Sequence, residues 1–326
     1  MKIHVAGFGS WGISFSNLLA NQNAQVKILT TNHEDEKKFN KEKIHPLFPE
    51  KKLNENITAI NKNRISEIPD FLVWSIPTKF TEEWMTESFL NHYSKTDILV
   101  LSKGLSPEGF DPIGNWLNEN LKNNIYVLSG PNFASEIIHG LPAATVIAGK
   151  KRPKKIEKIL KKSSLRTYYS DDIMGVSLGG VLKNVYAIGS GMVDGAKLGK
   201  NARAAMISRA LVETSRVFDY FETDKSTLWG LAGLGDLILT ATGSDSKNWQ
   251  LGNQIAKGIS LEDSLENLTG ESEGIRTLNG LMNLSKEKNI DLPLANAIND
   301  VIYKKKTVKN VVKTLLKRPS KKKEID

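Results

Sequence analysis

The spacing of hydrophobic positions divides the chain into two styles. Up to about Ser170, short apolar runs recur and each reads as a strand: residues 2–6, Val26–Leu29, Ile57–Ile60, Phe71–Ser75, Ile98–Leu101, Ile125–Leu128, Ala144–Ala148 and Leu165–Tyr169. Helical patterns alternate with them, starting at Ile13–Leu19, and a lysine-rich helix separates the last two. Strand–helix alternation of this kind predicts a mostly parallel sheet. Residues 45–57, which carry Pro46 and Pro49, read as a loop. After Asp171 the period becomes helical, with amphipathic helices expected over 173–193, 202–220, 226–232, 248–257, 261–267, 274–288, 294–303 and 307–316.

One of these helices stands apart. Residues 173–193 are apolar nearly throughout, and Lys183 is the one charge between Asp172 and Asp194. At helical spacing Lys183 neighbours Gly179, Gly180 and Ala187, a small-residue face expected to leave space beside the amine. A buried ammonium needs a partner, and burial lowers its pKa, which suits proton exchange near neutral pH. A central lysine costs roughly 2.5–3.5 kcal/mol in a bilayer. Glycines weaken a spanning helix further. The segment is therefore read as a core helix and not as a membrane span.

Composition narrows the classes. With 326 residues the chain is long enough for two cores, and 40% hydrophobic residues fit a soluble globular protein. Cysteine is absent, which excludes disulfides, thiolate metal sites and cysteine nucleophiles. The N-terminus lacks the apolar run of a secretory signal, so a cytoplasmic location is expected. The net charge of +9 suits either nucleic acid or an anionic small molecule. Lysine runs such as 150–162 and 317–323 read as solvated faces, and no nucleic-acid-binding motif accompanies them. A small-molecule substrate is expected, with no nucleic acid and no membrane insertion.

The chemistry begins at the first strand's end. Gly7-Phe8-Gly9-Ser10-Trp11-Gly12 follows residues 2–6 and precedes a helix. This is G-x-G-x-x-G in its strand–turn–helix setting: Gly7 for the tight turn, Gly9 for close approach of a pyrophosphate, Gly12 for helix–strand packing. The helix N-terminus would face the anion. At the second strand's end, where NAD-specific folds place an acid, the chain has Thr30-Thr31-Asn32-His33. That leaves NADP or NAD open, with Asn32, His33 or Lys37 as candidates to meet a 2′-phosphate and no arginine in the usual place. Lys103 lies at a strand's carboxyl end, where open α/β sheets bind ligands. Ser129-Gly130-Pro131-Asn132-Phe133-Ala134 is another strand feeding a helix. In the helical half, Asn201 and Arg203 open a helix, Asp236 sits in Leu231-Ala232-Gly233-Leu234-Gly235-Asp236, and Ser246-Lys247-Asn248 forms a polar cluster. The glycines around Asp236 suggest unusual backbone geometry and close approach to a ligand. Glu271 and Glu273 precede a further helix. Taken together, these groups suggest a polar cleft between two domains.

Read together, GFGSWG, SKG, LSGPNFASEIIHGLP, LKNVYAIGSGMVDG, KNARAAMISRALVE, LAGLGDL and ESEGIRT resemble the bacterial NAD(P)-dependent glycerol-3-phosphate dehydrogenases from Gly7 to beyond Arg276. The resemblance implies an α/β architecture: an N-terminal Rossmann-type, doubly wound, mostly parallel sheet plus a C-terminal all-helical domain, 6-phosphogluconate-dehydrogenase-like. The expected boundaries are 1–171 for the nucleotide domain, 172–316 for the helical domain and 317–326 for a basic tail. It implies reversible reduction of dihydroxyacetone phosphate to sn-glycerol 3-phosphate by NAD(P)H, serving glycerophospholipid synthesis, and is compatible with a homodimer. It casts Lys183 as catalytic acid/base, with Lys103 and Asp236 beside it in the chemistry. Gly7, Gly9, Ser10, Trp11, Gly12, Asn32, Lys103, Ala134, Lys247, Glu271 and Glu273 would line the cofactor. Lys103, Gly130, Asn132, Asn201, Arg203, Asp236, Ser246, Lys247 and Asn248 would bind the substrate. The family usually reads S-R-N-R where this chain has Ser246-Lys247-Asn248-Trp249, threonine or serine where it has Asn132, and a basic residue where it has Asn32. Two readings compete: a related two-domain dehydrogenase acting on a β-hydroxy acid, and a non-catalytic NAD(P)-binding sensor.

Overall fold

The structure is a computed structural model and describes residues 1–268 and 272–319. The chain forms two compact units, Met1–Pro107 with Ile113–Ile173, and Glu108–Pro112 with the chain from Met174 onward. The short excursion 108–112 joins the helical unit through Phe110, which stacks on Phe221 with ring centroids 6.1 Å apart.

The first unit is built on ten strands: β1 (Lys2–Ala6), β2 (Gln25–Thr30), β3 (Ile44–His45), β4 (Phe48–Lys52), β5 (Ile57–Asn61), β6 (Phe71–Trp74), β7 (Asp97–Val100), β8 (Ile125–Ser129), β9 (Ala143–Gly149) and β10 (Leu165–Ser170). Eight form one sheet in the order β10-β9-β8-β7-β6-β1-β2-β5. All its pairings are parallel except β8 with β9. The central strands β6 and β8 are buried at every position, as parallel strands covered on both faces must be. The edge strand β10 is instead mostly solvent-accessible, with Leu165 buried and Arg166, Tyr168 and Tyr169 exposed. The expected loop at 45–57 is partly a structured ribbon. β3 and β4 pair antiparallel, with a register shift between Ile44 and His45. Two prolines in so short a ribbon hide the alternation that marks a strand.

In the second unit the helix Ile173–Gly195 is buried on nearly all sides, as an all-round apolar helix should be. Its glycines do not leave gaps. A Cβ at Gly179 would overlap the Ala232 carbonyl, and one at Gly191 would overlap the Trp249 carbonyl. At Gly179, one turn from Lys183, the expected space is occupied by the Ala232 backbone. The helices Lys200–Tyr220, Lys247–Ala256, Leu261–Glu266, Glu273–Lys288, Pro293–Tyr303 and Val308–Leu316 pack around it or flank it. The expected helix 226–232 ends at Trp229; a π-helical turn, Leu231–Gly235, then leads into the helix Asp236–Thr242. Among the described residues no helix is long and apolar enough to cross a membrane.

Candidate active site

In the first unit, β1 runs directly into Gly7, whose φ of +111° and contact with Ser75, 2.6 Å from a built Cβ to its carbonyl oxygen, admit only glycine. A Cβ on Gly12 would come 2.8 Å from the Gly7 carbonyl, so helix and strand close on each other there. Gly9 has open space around it, and it caps the helix Ser10–Ala20 without any side chain. The first N–H groups of that helix, on Ser10, Trp11 and Gly12, thus receive no side-chain cap. A bare helix start above a glycine cradle fits the pyrophosphate of a nicotinamide dinucleotide. Ser14 Oγ donates to the Ala134 carbonyl at 2.9 Å and ties this helix to the short helix Ala134–Ile138.

His45, inside the stretch read as a loop, braces the same turn. Its Nε2 lies 3.0 Å from the Phe8 carbonyl, Leu47 N–H donates to its Nδ1, and its ring meets Phe8 at 4.7 Å. Burial holds its pKa below the usual histidine value, against the opposing pull of the Phe8 carbonyl. A neutral imidazole with the proton on Nε2 satisfies both bonds.

The carboxyl ends of β7 and β8 bring three further candidates together. Lys103 Nζ donates to the Gly130 carbonyl at 3.3 Å. Ser102 Oγ donates to the Ile76 carbonyl at 2.6 Å, which pins the turn that carries Lys103. Asn132 donates through Nδ2 to the carbonyls of Pro131 (2.8 Å) and Ala144 (3.0 Å). Its Oδ1 is buried and has no hydrogen-bond partner among the described residues. An orphaned acceptor costs stability, and a ligand hydroxyl or N–H would satisfy it. Asn32 lies elsewhere on the sheet edge, where its side chain caps the helix His33–Glu42 by accepting from Glu34 N–H at 2.8 Å.

In the second unit the centre is Lys183. Its Nζ donates to Asp236 Oδ1 at 2.5 Å and to Thr240 Oγ1 at 2.9 Å, and Thr240 in turn donates to the Asp236 carbonyl at 2.7 Å. Asp236 is fully buried and the Lys183 side chain is 10% exposed. The π-turn gives this pair its geometry. Ala232 packs against Gly179 one helical turn before Lys183, and the extra residue in the turn starts the next helix at Asp236. Gly179 lets the turn pack closely on the lysine helix, and Gly233 lets it fold back on the preceding helix, where a Cβ would overlap the Leu228 carbonyl; Gly235 has an ordinary helical φ of −60°. The expected unusual backbone geometry is a π-turn and not a left-handed residue. Asp236 gives the buried ammonium its countercharge and fixes its direction.

The remaining candidates divide by what already holds them. Ser246 is buried and caps the helix Lys247–Ala256, accepting from Trp249 N–H at 3.3 Å. Asn248 donates to Asn184 Oδ1 (3.0 Å) and accepts from Ser272 Oγ (2.7 Å) and Gly274 N–H (3.2 Å), so it brackets two helices. Arg203 Nη1 donates to Asp194 Oδ2 at 2.8 Å, and Trp249 Nε1 donates to the same oxygen at 3.1 Å. Lys247 is exposed, yet desolvation by surrounding protein still lowers its pKa below the usual lysine value. Asn201 is exposed near the start of its helix, and Glu273 opens the helix Glu273–Lys288. Glu271 lies outside the described residues, as does the tail from residue 320.

Comparison with known proteins gives one answer along the chain. The family model for the N-terminus of NAD-dependent glycerol-3-phosphate dehydrogenase matches residues 2–154, and the model for its C-terminus matches residues 172–313. The chain belongs to the NAD-dependent glycerol-3-phosphate dehydrogenase family. A glycerol-3-phosphate dehydrogenase [NAD(P)+] of Oceanobacillus iheyensis is 33% identical over 97% of this chain and 94% of its own length. One from Staphylococcus aureus is 33% identical over 98% of this chain and 99% of its own length. The crystal structure of glycerol-3-phosphate dehydrogenase from Coxiella burnetii superposes with a TM-score of 0.89 at 28% identity, covering 97% of this chain and 99% of that one. In this chain the Trp249 indole N–H provides a second donor to Asp194, beside Arg203.

Proposed function

We propose that this chain interconverts dihydroxyacetone phosphate and sn-glycerol 3-phosphate with NAD(P)H and NAD(P)⁺ and supplies glycerol phosphate for lipid synthesis. The observation that carries the reading is the Lys183 amine, held on Asp236 and Thr240 inside an otherwise apolar helix. The dinucleotide, when bound, supplies the hydride. Lys183 holds the proton that the ketone oxygen takes as negative charge grows there, and recovers it in the reverse direction. Asp236 keeps the amine oriented between turnovers. Lys103 is assigned to stabilising charge on the same oxygen, and the unpartnered Asn132 Oδ1 to a substrate hydroxyl. Arg203 and Lys247 are assigned to the phosphate; lysine in place of arginine offers a point charge without the bidentate fork, so phosphate affinity is expected to be lower. The bare helix start at Ser10–Gly12, with Ala134 and Glu273, is assigned to the dinucleotide. The two domains 1–171 and 172–316, a cytoplasmic setting and a homodimer belong to the same reading, the last to be measured by sedimentation velocity.

The test is steady-state kinetics with dihydroxyacetone phosphate, following nicotinamide absorbance. Wild type turns over this ketone and not a 3-oxo acid, the product of oxidising a 3-hydroxy acid. Lys183→Ala keeps dinucleotide binding and loses about 10²–10⁴-fold in kcat, the usual contribution of a positioned acid. Near-normal turnover in that variant, or binding without turnover in wild type, would overturn the reading.

A further inference from the structure

The β2 end carries no acid and no arginine, yet the fold brings an arginine there from another strand. β2 and β5 pair in parallel, with Thr30 opposite Asn61, so their carboxyl ends lie level. The turn after β5, Lys62–Arg64, delivers Arg64 to the start of the helix that follows β2. Arg64 Nη2 contacts Glu36 and lies 3.3 Å from His33 Nδ1. We infer that Arg64, with His33 beside it, recognises the 2′-phosphate of NADP(H) and makes this chain prefer it to NAD(H). This rests on the proposed dinucleotide-dependent reading and adds to it the residue that selects the cofactor.

Thr30, Asn32 and Lys62 at this edge are already engaged. Thr30 Oγ1 accepts from Asn32 N–H at 3.0 Å, and the Asn32 side-chain oxygen caps the helix after it. Lys62 sits 4.8 Å over the Trp84 ring and donates to the Glu83 carbonyl at 3.2 Å. The acid that meets Arg64 is Glu36. Its side chain is 12% exposed, and one oxygen accepts from Asn61 N–H at 3.1 Å as well as from Arg64. Burial would raise its pKa, but the Arg64 and His33 contacts overcome that and hold it below the ordinary glutamate value. Glu36 therefore acts as the anchor of Arg64 and not as a reader of ribose hydroxyls. Arg64 is 53% exposed, and Nη2 is the nitrogen engaged by its two neighbours. Among the described residues its Nε and Nη1 make no hydrogen bond and remain for a phosphate, which a guanidinium fork grips from two sides.

Calorimetric titration of the full chain with NADP⁺ and with NAD⁺ tests this without turnover. Wild type should bind NADP⁺ at least tenfold more tightly than NAD⁺. Arg64→Ala should lose tenfold or more for NADP⁺ while NAD⁺ affinity stays within twofold. Glu36→Gln, which keeps the guanidinium, should keep the preference for NADP⁺. Tighter binding of NAD⁺ by wild type, an equal loss for both cofactors in Arg64→Ala, or a selective loss of NAD⁺ in Glu36→Gln overturns the inference and leaves the proposed function standing. Failure of wild type to bind either cofactor removes both.

Discussion

Asp236 and Glu213 are buried carboxyl groups that reach the helix Ile173–Gly195 at Lys183 and at Tyr186, three residues further on. Asp236 meets a full positive charge. Among the described residues Glu213 hydrogen-bonds only to dipoles: the Tyr186 hydroxyl at 3.3 Å, Leu294 N–H, and Ala295 N–H at 3.0 Å, at the start of the helix Pro293–Tyr303. Arg216, whose charge acts on Glu213 from a distance, donates to the Asp291 carbonyl at 2.6 Å. Burial pushes Glu213 up to about 7, despite the two amides and the phenol that favour its ionised form. Depth alone therefore does not decide the role of a carboxyl group on this helix. A contacting ammonium gives one of them an orienting role; the other, without such a contact, is left by burial to titrate near neutral pH.

The largest effect should come from breaking the ion pair. Asp236→Ala removes the carboxylate from a nearly buried ammonium, a change that typically costs about 3–5 kcal/mol. The urea midpoint should fall accordingly, and turnover should fall with it. The double variant Lys183→Met, Asp236→Leu sharpens the point, because replacing a buried pair by apolar side chains is often neutral. It should recover most of the stability and none of the activity. A double variant as unstable as Asp236→Ala would mean that packing around the π-turn, and not the uncompensated charge, sets the cost.

The sequence made one side of this comparison readable and concealed the other. Lys183 stands out because a single charge interrupts a long apolar run, and Gly7, Gly9 and Gly12 stand out because a local turn dictates their spacing. Asp236 is legible as a glycine-framed acid, and its pairing with Lys183 is legible only through the family resemblance, not through the local pattern. A π-turn adds one residue to the helical register, and no apolar period reports it. Glu213 looked like one more polar position on an amphipathic helix; only the packing of three helices shows that it is buried. Arg64 and His45 were missed for a related reason: each reaches its partner across strands or from a proline-broken ribbon, through contacts far apart in the chain.

The second prediction reads Glu213 through pH. In the native chain it holds its proton up to about pH 7, whereas the ordinary value for a free glutamate is 4.5. Between those values the native state binds more protons than the unfolded chain. Its stabilising contribution is therefore complete below the unfolded value and is lost as pH rises through the folded one. Wild type should lose about 1–3 kcal/mol relative to Glu213→Gln between pH 4.5 and pH 8. Parallel stability curves for the two proteins across that window would show that Glu213 does not titrate there.

The smallest effect separates charge from hydrogen bonding at Lys183. Thr240 contributes a hydroxyl that accepts from the amine and donates to the Asp236 carbonyl, and it carries no charge. Thr240→Val keeps the shape and removes both bonds, at a cost of about 1 kcal/mol for each ordinary neutral bond lost. The Asp236 carboxylate remains in place, so kcat should fall by less than tenfold. That would put the orienting force in the ion pair, with the hydroxyl as support. Should Thr240→Val cost as much turnover as Asp236→Ala, the amine would be aimed by the hydroxyl, and Asp236 would resemble Glu213 more than its countercharge suggests: a buried acid that matters mainly to folding.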